Sequence, residues 1–253
     1  MSALSPEQVE FFFQNGYISI GKLLEDEHIE ILRREYDREF AAARKDNRFR
    51  NLAISNTDDL SAKNDAPTQM LQIMQMCERN LHYRELIYYD PILDIAEALI
   101  GPNIQLFHDQ ALFKPAHNGE AVFWHQDNGY WQCMPANLVS CWLTLDDADA
   151  ENGAMHVIPG SHLRPFTHER SSQTDALFDI EDQVEISKAE IIELPAGGVM
   201  FHHCQTLHYT PPNHTGRQRR AFAIHFMIPG TKRQNTGEYM PVSFSRPMLR
   251  MHI

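Results

Sequence analysis

The chain has 253 residues, 43% of them hydrophobic, and a formal charge of -12 from 34 acidic against 22 basic residues. That length supports one sizeable core, so a single domain over 1–253 is expected, and a negative field of this kind argues against nucleic-acid or membrane partners while leaving room for a small anion in a local basic cleft. Four cysteines (Cys77, Cys133, Cys141, Cys204) with no CxxC pair, no leader-like N-terminus and no apolar run near the ~20 residues that cross a bilayer read as a reduced, cytoplasmic chain.

The opening LSPEQVEFFFQNGY places Ser5 as N-cap, Pro6 at the first helical position, Gln8 to close a capping box and Asn15-Gly16 as a stop. It predicts a short helix followed by a strand over 17–20. Over 25–44, Ile29, Leu32, Tyr36 and Phe40 recur at intervals of three and four, the spacing of one helical face. Residues 47–68 are polar and aperiodic and read as a long functional or mobile loop. Helices are expected again over 69–84 and 90–100, the second closed by Gly101-Pro102. Residues 1–100 therefore read as a helical buttress with a substrate loop.

Past Asn103 the texture changes. Short runs such as IQLFHDQALFK, AVFWHQD, LVSCWLTL, AMHVIPG, GGVMFHH and RRAFAIHFMI, separated by Gly, Pro and Asn, predict the strands of a sandwich or barrel over 101–230. A polar excursion or lid is expected over 164–188, and a tail over 231–253.

In AVFWHQDNGYW, His125 and Asp127 are two apart, and on an extended strand such residues project to the same side. An imidazole and a carboxylate so placed can share one metal, and a second His from another strand would complete a facial triad that leaves three coordination positions open. His202, His203, His208 and His214 are all available as the third ligand. A diacid chelated there needs a cation for its far carboxylate, and a guanidinium offers two parallel hydrogen bonds. Arg219 shares a strand face with Ala221, Ala223, His225 and Met227, whereas Arg220 shares one with Phe222, Ile224, Phe226 and Ile228. The small alanines leave room for a ligand, which selects Arg219.

The sequence resembles the phytanoyl-CoA dioxygenase family of iron(II)- and 2-oxoglutarate-dependent oxygenases. The likeness runs from SPEQVEFFFQNGY through FKP, WHQDNGYW and ENGAMHVIPGSH to LHYTPPNHTGRQRRA. It implies a mainly β (α+β) fold: a double-stranded β-helix, the jelly-roll of cupin-like proteins, buttressed by N-terminal helices. It also implies His125, Asp127 and His208 as ligands of Fe(II), Arg219 as the anchor of 2-oxoglutarate, and Gln110, Trp142 and Thr210 at co-substrate contacts. The family's Gly-Ser-Gly/Ala is replaced here by Tyr209-Thr210-Pro211, in which Thr210 still offers a hydroxyl. The implied reaction consumes O2 and 2-oxoglutarate, releases succinate and CO2, and hydroxylates a small-molecule substrate. The carboxylate at Asp127, where related halogenases have a small residue, favours hydroxylation over halogenation, while desaturation or ring chemistry stays open.

The remaining residues have plainer readings. His202 and His203 are expected as core or ligand-supporting histidines, His108, His156 and His225 as strand residues, and Trp124 as packing. Asn128 and Tyr130 stand equally as substrate contacts or structure, and Lys114 reads as a cavity charge or a solvated strand-end lysine, the latter slightly favoured. Two other classes compete: a jelly-roll binding protein without turnover, and a zinc hydrolase, which needs a general-base glutamate near the metal. The substrate and the oligomeric state are not encoded in any motif.

Overall fold

The computed structural model describes residues 3–164, 166–168 and 180–252. Helix α1 (Pro6–Asn15) begins as its sequence dictates: the Ser5 side chain accepts from the Gln8 N–H, and Gln8 Oε1 accepts from the Ser5 N–H at 2.8 Å. It ends at Gly16, whose φ of 80° no Cβ-bearing residue adopts cheaply. Strand β1 (Tyr17–Lys22) follows, then α2 (Asp26–Asp46), whose Ile29, Leu32, Tyr36, Phe40 and Ala43 are buried on one face.

The stretch expected as a loop is partly ordered into β2 (Arg50–Asn51) and α3 (Leu60–Asn64). The buried Asn51 amide organises it by donating to the carbonyls of Lys63 and Thr68 and accepting from Ala53 and Met70 N–H groups. Lys63, also buried, donates to Asn47 Oδ1 and Phe49 O.

Over 69–84 the expected helical segments form only in the second half. The segment opens as strand β3 (Leu71–Met74), turns through 76–78 and only then forms α4 (Leu81–Ile87). Leu71 and Ile73 alternate with Gln72 and Met74, and pairing with a long neighbouring strand outweighs any helical preference. Helix α5 (Asp90–Ile100) forms where expected and stops at Gly101.

The remaining elements are β4 (Ile104–Lys114), β5 (Val122–His125), α6 (Asp127–Trp131), β6 (Cys133–Met134), β7 (Leu138–Thr144), β8 (Met155–Val157) and β9 (Glu190–Ile192). They continue with β10 (Gly198–His203), β11 (His208–Thr210), β12 (Arg219–Met227), β13 (Lys232–Arg233) and β14 (Met248–Arg250). The major sheet has the order β1-β10-β7-β12-β4-β3-β2 with β14 added on β4, and the minor sheet the order β5-β11-β8-β9. Both are antiparallel, and together they form the expected jelly-roll without closing into a barrel. Of the excursion expected over 164–188, residues 165 and 169–179 lie outside the described residues. The expected tail contributes strand β14, and its Arg250 binds Asp90, Asp94 and Glu97 of α5.

Period-two alternation divides the major sheet into two faces. Cys141, Leu143, Phe222, Ile224 and Phe226 point outward into a core shared with α1, α2, α4 and α5. Their neighbours Trp142, Ala221 and Ala223 point inward, toward the minor sheet. The helices thus seal one face, and the chemistry-bearing residues line the other.

Candidate metal and co-substrate site

His125 ends β5 and His208 begins β11, where the two are directly opposed across adjacent strands with ring centroids 4.1 Å apart. The imidazole Nδ1 of His125 faces the Phe123 carbonyl at 2.8 Å, and that of His208 faces the Thr206 carbonyl at 2.9 Å. A carbonyl only accepts, so each ring carries its proton on Nδ1 and keeps a lone pair on Nε2. Both Nε2 atoms face Asp127 Oδ1, at 3.6 Å from His125 and 3.7 Å from His208.

Asp127 reaches this point differently from the sequence expectation. It does not continue the strand with His125. Gln126 is extended and Asp127 is the first residue of α6. The turn is pinned by the buried Gln126, whose backbone N–H donates to His168 and whose side-chain amide donates to the Arg164 and Gln205 carbonyls. Burial would raise the Asp127 carboxyl, but the imidazoles of His208, His125 and His202 outweigh it and hold it well below the usual carboxylate range. Burial and the neighbouring His125 and His202 push His208 well below the ordinary imidazole value. An ionised Asp127 carboxylate and a neutral His208 imidazole are the protonation states a divalent metal requires of such ligands. One ligand atom from each of His125, Asp127 and His208 lies within 4.8 Å of the others, and all three residues are buried.

These residues line a cavity of about 370 Å³ between the sheets. Arg219, on β12, points into it and is 1% exposed. Its Nη1 reaches the Leu112 carbonyl only at 3.5 Å, Nε and Nη2 have no partner, and the group lies 5.6 Å from the centre of the Trp142 ring. Burial lowers it to about 10, so it stays charged at neutral pH. Arg220 points the other way and is satisfied by Asp146 and Asp37. The Thr210 hydroxyl is buried beside the cavity with no partner. A guanidinium with two orphaned N–H groups and an orphaned hydroxyl, across a pocket from a His-Asp-His set, fit a diacid bound to a metal.

Trp142 and Gln110 also line the cavity, but the Gln110 side chain is engaged at both ends, by Gln72 and by His225 at 2.9 Å. Lys114 corrects the favoured solvated reading: it is wholly buried on the Arg219 face and donates to the Thr210 and Pro211 carbonyls. Burial and Arg219 depress its ammonium well below the ordinary lysine value. Its place at a strand end hid that it stands directly opposite Arg219 in the sheet register. Tyr130 lines the cavity, whereas Asn128 turns away to bind Cys133. Trp124 is buried and stacks on Tyr209, as packing. His202 lies 3.1 Å from Asp127 Oδ2, His203 packs beside His162 away from the site, and His156 packs against Tyr209. Sequence reasoning passed over Ser140, Gln72, Met70 and Met74, and gave His108 and His225 little weight. Strand parity carries a signal for Ser140 and His225, which share faces with Trp142 and Arg219.

A jelly-roll with an inward arginine facing a His-Asp-His cluster defines the class of iron(II)- and 2-oxoglutarate-dependent oxygenases. The phytanoyl-CoA dioxygenase (PhyH) family model matches residues 12–221, and the chain belongs to that family. Human peroxisomal phytanoyl-CoA dioxygenase is 25% identical over 252 residues, covering 92% of this chain and 74% of that protein. Ectoine dioxygenase of Stutzerimonas stutzeri (strain A1501) is 24% identical over 234 residues, covering 85% and 74%. Among solved structures, the non-heme alpha ketoglutarate dependent carbocyclase SnoK from nogalamycin biosynthesis superposes with a TM-score of 0.78 at 20% identity, covering 98% of both chains. The epimerase SnoN, solved with Fe3+, alpha ketoglutarate and nogalamycin RO, gives 0.77 at 20% identity, covering 96% of this chain and 98% of its own.

Proposed function

We propose that His125, Asp127 and His208 hold the iron, that Arg219 and Thr210 anchor the 2-oxoglutarate, with Trp142 packed beside them, and that the rest of the cavity receives a small organic molecule whose C–H bond is hydroxylated. The observation that carries this is Arg219: a buried, charged guanidinium with two unpartnered N–H groups needs an anion, and the cavity joins it to the candidate ligands. When bound, iron with 2-oxoglutarate supplies an O2-derived oxidant at the cost of converting the keto acid to succinate and CO2.

The chain's own residues do the rest. Arg219 orients the far carboxylate, and the small side chain of Ala223 lines the cavity beside it. Gln126 and the backbone carbonyls behind His125 and His208 hold the ligand side chains in place. Leu52, Met70, Met74, Tyr130 and Trp131 supply an apolar wall that limits water around the substrate. A cavity of about 370 Å³, shared with the diacid, suits a small molecule or one end of a longer one. The four cysteines are free and buried, which supports a reducing, cytoplasmic setting. Among the described residues no helix is long and apolar enough to cross a membrane.

No glutamate lines the cavity among the described residues, which weighs against a zinc hydrolase. Anaerobic addition of Fe(II) and 2-oxoglutarate should give the visible charge-transfer band of the chelate in wild type. It should be absent in His208→Ala and weakened in Arg219→Ala. An unchanged band in both variants refutes the assignment. Succinate release across a panel of small molecules then finds the substrate, and its absence with every one favours the binding-protein alternative.

A further inference from the structure

The two Asp127 oxygens are unequal. Oδ1 faces His125 and His208, whereas Oδ2 accepts from the Ser140 hydroxyl at 3.0 Å and lies 3.1 Å from His202 Nε2. Ser140 also contacts His225 Nδ1 at 2.7 Å, His225 Nε2 contacts Gln110 Nε2 at 2.9 Å, and Gln110 Oε1 accepts from Gln72 Nε2. The chain of contacts runs from β7 through β12 and β4 to β3, across half of the inner sheet face. Sheet register builds its inner end, since Ser140 stands directly opposite His202 on β10 and His225 on β12, while Gln110 and Gln72 extend it from off that row on the neighbouring strands β4 and β3.

The polarity of the whole chain follows from its inner end. The Ser140 O–H donates to Asp127 Oδ2. Its oxygen then receives the His225 Nδ1–H, which leaves His225 Nε2 as an acceptor for the Gln110 amide N–H. The Gln110 carbonyl is thereby turned to Gln72. His225 has one acceptor and one donor to fill, which requires the neutral ring. Burial and the nearby His108 hold it neutral, well below the ordinary imidazole value.

We propose that Ser140, His225 and Gln110 are positioning residues for the metal-binding carboxylate: a one-directional hydrogen-bond relay that keeps Asp127 Oδ2 occupied, presents Oδ1 alone to the metal, and ends at Gln72 on the cavity wall beside the substrate. The proposal rests on the assignment of Asp127 as a metal ligand. It also gives Gln110 a different part from the co-substrate contact that family resemblance implies.

The test uses Co(II) and Mn(II) in place of iron, with affinity and the visible Co(II) spectrum as readouts and no turnover. Ser140→Ala leaves Oδ2 with His202 as its remaining neighbour and should weaken Mn(II) binding about 10- to 100-fold, as loss of a ligand's hydrogen-bond partner does. It should also shift the Co(II) absorption, because the carboxylate is then held less firmly in one orientation. His225→Phe touches no ligand, yet it should weaken binding about tenfold by releasing Ser140. His225→Asn, whose amide nitrogen can take the place of Nδ1, should restore binding and spectrum. Thermal unfolding of the metal-free variants checks that each is folded.

Wild-type affinity and spectrum in both Ser140→Ala and His225→Phe overturn the relay while leaving the metal assignment standing. Loss in His225→Phe without recovery in His225→Asn traces the effect to packing and overturns it too. Failure of wild type to bind either ion removes the metal assignment and the relay together.

Discussion

Replacing Arg219 with methionine should produce two effects of opposite sign. The guanidinium is 1% exposed and two of its three nitrogens lack partners, so in the ligand-free protein it is a charge kept in a poor solvent. Burial lowers it to about 10, well under the ordinary arginine value, and at ~1.36 kcal/mol per pH unit the charged form costs about 3 kcal/mol. Methionine fills much of the same space without charge, so ligand-free Arg219→Met should be more stable by about 1–3 kcal/mol, roughly 2–4 °C for each kcal/mol in a chain of this size. A carboxylate seated on the two free N–H groups reverses the balance. Its loss should cost the variant about 2–5 kcal/mol of 2-oxoglutarate affinity, or roughly 30- to several-thousand-fold. Thermal unfolding with Mn(II), with and without 2-oxoglutarate at about 100 times the wild-type Kd, reads both effects, because that concentration stabilises wild type by about 2.7 kcal/mol. Pyruvate, a keto acid with no far carboxylate, should act on both proteins alike. A ligand-free variant that melts below wild type, or one that keeps the full 2-oxoglutarate effect, refutes the reasoning.

Two predictions concern pH. Burial raises the Asp109 carboxyl to about 6, with hydrogen bonds from Cys77 and Met76 offsetting part of the effect. A carboxyl that holds its proton more tightly folded than unfolded favours the fold at low pH and loses that contribution as pH rises through about 6. Asp109→Asn keeps an acceptor for the Cys77 N–H and should stabilise by about 1–3 kcal/mol at pH 8 but scarcely at pH 4. Equal shifts in melting temperature at both pH values count against it. Burial pushes His108 and His203 down to about 4, so the unfolded chain takes up their protons first and stability falls as pH drops from 6.5 through 4. Each contributes up to about 3 kcal/mol of that loss, and denaturant titrations of metal-free His203→Gln should show a shallower decline than wild type.

The fold and the site were readable in the sequence where side-chain direction follows from chain direction alone. Parity on one continuous strand separated Arg219 from Arg220, and the structure puts the first in the cavity and the second on Asp146 and Asp37. The same rule misdescribed Asp127, because the strand stops at His125 and a helix begins two residues later. Its carboxylate still meets His125, but through a turn held by Gln126, whose partners Arg164, His168 and Gln205 are dozens of residues away. Residues 69–74 were misread for a related reason: four alternating residues become a strand only because β4 is present to pair with them.

Lys114 and Ser140 mark what a local pattern cannot carry. A lysine at a strand end is ordinarily solvated, and a serine between a valine and a cysteine is ordinarily filler. Each acquires its role from the residue opposite, Arg219 for Lys114, and His202 and His225 for Ser140. Those pairings depend on sheet order, and the order β10-β7-β12-β4 bears no relation to order along the chain. Parity says which face a residue joins, but register decides which residues share a row. The candidate ligands His125, Asp127 and His208 declare their chemistry by residue type, whereas the groups proposed to orient Asp127, a serine, an amide and a neutral imidazole, declare nothing until the strands are aligned. For that reason, removing a supporting residue of the row should disturb the metal more than its sequence context would suggest, and more than an equally buried residue such as Cys141 on the opposite face.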